Sequence, residues 1–172
     1  HRERVHQIVA SKRDWIASKL DDINAIRQLI PQVSPARPQA FDLPALAETW
    51  RVEYRETRRA SVGAKTDQPG RIVVFGRVDD VDACHAALRR WLARRAAEVL
   101  PPWLERVGAQ CRQRPTAVAI KNQRTRWGSC AASRRISLNC KLLFLPRELV
   151  RYVMVHELCH LVRLDHSPAY YF

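Results

Sequence analysis

Apolar residues recur at spacings of three and four between residues 3 and 30, where Val5, Ile8, Val9, Trp15, Ile16, Leu20, Ile23 and Ile26 predict one long N-terminal helix over 1–30. Pro31, Pro35, Pro38 and Pro44 follow, so 31–44 is expected to be a Pro-rich linker or loop ahead of a domain over 45–172. The period then changes to two. Trp50, Val52 and Tyr54 alternate with charged residues, which predicts a half-buried strand over 50–55. Residues 60–64 are a shorter strand candidate, and the Gln68-Pro69-Gly70 turn leads into a better one at 71–75. Asp79, Asp80 and Asp82 open the next helix, where negative charge suits the positive end of the helix dipole. That helix is expected to run to about Leu100, with Pro101-Pro102 ending or kinking it before a shorter helix over 103–112. Strands are predicted over 116–120 and 135–139, with 126–130 irregular between them. Pro146 and Glu148 suit the first turn of a last helix, and its run of Leu149, Val150, Tyr152, Val153, Met154 and Val155 predicts burial nearly all round.

The composition fits a globular chain: 172 residues, 47% hydrophobic and 27% charged. A domain of this size buries roughly 70% of its unfolded surface and needs no disulfide staples. The five cysteines form no CxxC pair, so reduced, packed thiols are expected rather than a Cys-only zinc cluster. No apolar run approaches the ~20 residues of a membrane span, and no charged-then-apolar leader is seen. The expectation is a cytoplasmic protein without a membrane partner, its ends at His1 and Phe172 trimmed.

Charge adds a possible partner class. The net charge is +13, and the excess is concentrated: ten Lys and Arg, from Arg112 to Arg151, face a single acid, Glu148. A basic surface concentrates polyanions, nucleic acid foremost, although an Arg-rich composition also follows from coding bias.

The last helix carries His156-Glu157-Leu158-Cys159-His160, an HExxH pattern. At about 100° per residue, His156 and His160 lie one turn apart on one face and can reach one Zn²⁺. Glu157 is offset by one residue, near such a metal without needing to bind it, and suitably placed to take a proton from water. With six His in the chain, the pattern has roughly a 1% expectation by chance. Burying two imidazoles and a carboxylate is costly unless partners satisfy them, and a metal would satisfy all three.

A hydrolytic zinc site needs a third protein ligand and an open fourth position. After His160 the chain offers Asp165 and His166. His166 is the favoured third ligand provided the helix breaks first; Asp165 and Pro168 suit such a break. Asp165, or an acid beyond Phe172, is the rival. Cys159 points about 100° away from His160 and is expected to pack.

Asn122, Arg126-Trp127-Gly128-Ser129-Cys130, Ile136-Ser137-Leu138-Asn139 and His156 through His166-Ser167-Pro168 together resemble the YgjP-like zinc metallopeptidases, a group related to the SprT-like and WLM metallopeptidases. The dense match covers about 115–172. Asp165 stands where the family usually has Asn, and Arg163 stands where metzincins need Gly. The resemblance implies a small zincin-type α+β domain: a short sheet packed against the HExxH helix, preceded by helices and a hairpin. It implies one zinc ion on His156, His160 and His166, with Glu157 as general base, acting on peptide or protein substrates. By the same resemblance, 135–139 is the edge strand that aligns substrate, so Asn139, with Asn122 and Arg126, is a candidate substrate-binding residue. Arg126, Asn122, Tyr152 and Tyr170 are the candidates for oxyanion stabilisation, and Trp127 is expected to be a core or turn anchor. Two other functions fit a metal beside a basic rim: a nucleotide phosphohydrolase, though no P-loop glycines support it, and a nucleic-acid-associated protease or binding protein.

Overall fold

Strand β4 (Arg71–Gly76) is a continuous apolar run, and Ile72, Val73 and Val74 are all buried, as a strand covered on both faces requires. It lies at the centre of a four-stranded sheet in the order β1-β2-β4-β3, with β1 at Ala40–Leu43, β2 at Glu48–Glu56 and β3 at Gly63–Gln68. β2 runs parallel to β4, while β1 and β3 are antiparallel to their neighbours. The computed structural model describes residues 36–161; the expected N-terminal helix over 1–30, with its Trp15, lies outside them.

Within the stretch expected to be a loop, residues 40–43 instead form β1, which pairs Phe41 with Trp50. The ring of Phe41 then meets the Trp91 and Phe144 rings edge-on, and its packing on the buried Trp91 outweighs the local proline signal. β3 begins at Gly63, three residues later than the sequence pattern places it. Pro69 and Gly70 (φ 77°) then make the two-residue turn into β4.

Helix α1 (Val81–Gln110) opens as expected, with Asp80 accepting a hydrogen bond from the Ala83 amide at 2.9 Å. Pro101 and Pro102 do not end it. The carbonyls they leave without helical partners belong to Ala97 and Glu98, both on the exposed side, so their loss of a helical partner strands no buried polar group. The buried stripe of Trp91, Leu92, Ala96, Leu100, Trp103, Leu104 and Val107 runs unbroken across the prolines. The helix closes with Arg112 at φ 52°, whose amide bonds the Ala109 carbonyl while the Gln113 amide bonds that of Gly108.

A second sheet follows, ordered β5-β7-β6: β5 at Ala117–Lys121, β6 at Gly128–Cys130 and β7 at Arg135–Asn139. Its pairing repeats the first sheet's theme. In both, the last strand inserts between the two before it, β4 parallel to β2 and antiparallel to β3, β7 parallel to β5 and antiparallel to β6, and a helix follows. Helix α2 (Arg147–Cys159) completes the described chain. α1 packs against both sheets and α2, and its Trp103 ring lies 4.6 Å beneath the Arg147 guanidinium. α2 is not apolar all round: Val150, Met154, Glu157 and Leu158 face inward, while Leu149 and Tyr152 are exposed. One side of α2 packs against the domain, and that stripe is all it needs to bury.

Candidate metal centre

The HExxH residues sit on the last two turns of α2, which ends at Cys159 with His160 as its cap. The Nε2 atoms of His156 and His160 are 3.3 Å apart, and the rings are nearly perpendicular at 89°. Two nitrogen ligands each about 2.0–2.1 Å from a tetrahedral zinc stand roughly 3.3–3.4 Å apart, so this pair fits one edge of such a site. Among the described residues, no group of three or more His, Cys, Asp or Glu converges; His166, with Asp165 and Tyr170, lies outside them.

Glu157 turns inward, with 5% of its surface exposed, against β6. The close approach is possible because residue 128 has no side chain: a Cβ there would lie 2.6 Å from Glu157 Oε1. Burial pushes the Glu157 carboxyl up to about 7, and the positive charge of Arg126 opposes that rise. A carboxylate so placed exchanges protons near neutral pH.

The loop carrying Arg126 and Trp127 is pinned by Asn139. Its Nδ2 donates to the carbonyls of Gln123 (2.9 Å) and Arg126 (2.7 Å), and its Oδ1 accepts from the Lys141 amide (3.1 Å). The Asn139 amide also donates to the Trp127 carbonyl at 2.9 Å. Asn139 is 2% exposed, so its place is beneath the loop and its amide is committed; it does not face a substrate. Asn122 is also away from the histidines, lining a separate cavity with Phe41, His85 and Phe144. Trp127 is 46% exposed and therefore is not a core anchor: the main chain of this residue is held while its indole is left outside.

β7, expected to be the edge strand, is the middle of its sheet. The edge beside α2 is β6. The pairs 127–139 and 131–135 carry the ladder bonds to β7, so by alternation the main-chain groups of Gly128 and Cys130 point to the other edge, which pairs with no strand among the described residues. Two open clefts meet there. One of about 290 Å³ is lined by Ser129, Cys130 and His160, the other, of about 260 Å³, by Trp127, Tyr152 and Val153. Both share Arg126, Gly128, His156 and Glu157, so one groove crosses the histidine pair. Ser129 and Cys130 line the cleft from β6, a strand inside the stretch expected to be irregular over 126–130; its three residues carry no period of their own and are set by pairing with β7.

A family model described as a YgjP-like metallopeptidase domain matches residues 1–172, the whole chain. The chain belongs to this family. No curated protein and no solved structure matches it significantly. As a YgjP-like protein it carries a metallopeptidase domain, of a kind that uses a metal ion and acts on peptide bonds. Among the described residues, no helix of this YgjP-like chain is long and apolar enough to cross a membrane.

Proposed function

We propose that the chain is a zinc-dependent peptidase, holding one zinc ion through His156, His160 and His166 and using Glu157 as general base. The observation that carries this reading is the 3.3 Å separation of the two Nε2 atoms with a buried carboxylate on the next residue. Zinc in such a site supplies Lewis-acid chemistry, polarising a carbonyl and making water acidic near neutral pH. The chain's own groups do the rest. Glu157 takes the proton of the attacking water on a carboxylate oxygen and returns it to the leaving nitrogen. The edge of β6 turned away from β7 aligns an extended substrate through the main chain of Gly128 and Cys130. Arg126, which lines both halves of the groove, offers positive charge beside the reacting carbonyl.

The test pairs metal analysis with turnover on casein-like substrates. Glu157→Gln is expected to keep one zinc per chain and abolish hydrolysis, while His156→Ala, His160→Ala and His166→Ala lose the metal. Full activity in Glu157→Gln removes the general base, and wild-type chain that binds no zinc removes the whole reading.

A further inference from the structure

We infer that the half of the groove between Trp127 and Tyr152 is a specificity subsite that takes a large apolar side chain of the substrate, beside the scissile bond. The inference rests on the peptidase reading of the groove and adds the class of peptide it selects. Four large hydrophobic residues are exposed among the described residues, and two of them, Trp127 (46%) and Tyr152 (66%), line one cleft. Scattered exposed apolar residues are ordinary; two aromatics facing one cavity are not scatter. The cleft continues into the histidine groove through His156 and Glu157, so a side chain seated in it belongs to a residue at the reacting bond. Its volume, about 260 Å³, lies below the ~300 Å³ floor of small-molecule sites and suits one side chain.

The two halves differ chemically. Ser129, Cys130 and His160 make the other half polar, whereas Trp127, Tyr152 and Val153 wall this one with rings and methyls. The backbone beneath one wall and the ring of the other each have a neighbour. The Trp127 carbonyl is held by the Asn139 amide, and the Tyr152 ring stacks beside the His156 ring at 6.4 Å between centroids and 29° between planes. A held backbone and a stacked ring lower the ordering cost at binding.

The test uses the full chain carrying Glu157→Gln and loaded with zinc, titrated with blocked hexapeptides in which Phe or Ala is scanned through each position of a Gly-Ala-Ser background. Affinity is read by calorimetry and by tryptophan fluorescence. Phe at one position is expected to bind about tenfold more tightly than Ala there. Trp127→Ala and Tyr152→Ala each erase that difference, and Tyr152→Phe, which keeps the ring, preserves it. Both side chains are exposed, so the variants are expected to keep the parent Tm. Equal affinities, no binding of either peptide, or a preference that survives both alanine variants overturns the subsite. Phe preference without hydrolysis by the wild-type chain defeats the peptidase reading alone; hydrolysis without preference defeats the subsite alone.

Discussion

An alanine at position 128 would place its Cβ 2.6 Å from Glu157 Oε1 and 2.7 Å from its Cγ. The neighbour is a buried side chain with little room to retreat, so the carboxylate must move and the helix carrying it must resist. Displacing a catalytic group by about 1 Å costs on the order of 10²-fold in rate. Gly128→Ala is therefore expected to lower kcat/KM by about that factor while overpacking lowers stability by only ~1–3 kcal/mol. Asn139 predicts the opposite balance. Its side chain serves two loop carbonyls and one amide, and removing it strands them at the edge of the core. Asn139→Ala is expected to cost about 2 kcal/mol, seen as a Tm fall of roughly 4–8 °C. Activity should fall with the order of the loop rather than through loss of a substrate contact, so added osmolyte that restores the fold should restore much of the rate.

At the scale of elements, Tyr54 ties β2 to the start of the described chain. Its hydroxyl donates to the Pro38 carbonyl at 2.9 Å, and the Arg37 guanidinium lies 5.0 Å from its ring centroid. Burial foremost, then the nearby Cys84, pushes this phenol up to about 12, with the Arg37 charge opposing. The unfolded chain releases that proton near pH 10. Between those values the folded state holds a proton the unfolded state has lost, so stability falls as pH rises from about 10 to 12. Tyr54→Phe is expected to flatten that fall, measured by denaturant melts across the range, while losing about 1 kcal/mol at neutral pH with the hydrogen bond. What the sequence disclosed divides along the same elements. β4, the opening of α1 and the HExxH turn were legible because period, cap and motif are local signals. β1, the passage of α1 through Pro101-Pro102, and the central place of β7 were not. Each depends on what lies across the fold: Trp91 and Phe144 for β1, an unbroken buried stripe for α1, and the insertion of β7 between β5 and β6. The same applies to Asn139, whose side chain is spent on carbonyls that folding brings to it.

For the molecule as a whole, the +13 charge must be weighed against how its cations are used. Arg134 donates to the Leu161 and Arg114 carbonyls, Lys141 to that of Gln123, Arg151 to the Gln110 amide oxygen, and Arg147 covers Trp103. Four of the ten cations of the basic stretch thus help hold α2 and the site loop in place, while their neutral partners leave the charge uncompensated. With that net charge the whole protein opposes a further cation by long-range repulsion, so a zinc ion at the histidine pair would have to be held by its ligands. A ligand that binds only the folded state stabilises it by mass action, about 2.7 kcal/mol at a hundredfold excess over Kd. For a chain of this length that corresponds to a rise in Tm of roughly 5–10 °C. Added zinc is expected to raise the Tm of the chelator-treated wild type by this amount, and equally in Glu157→Gln. It should have no such effect in His156→Ala or His160→Ala. A rise in either histidine variant equal to the wild type's would place the stabilising metal elsewhere on the protein.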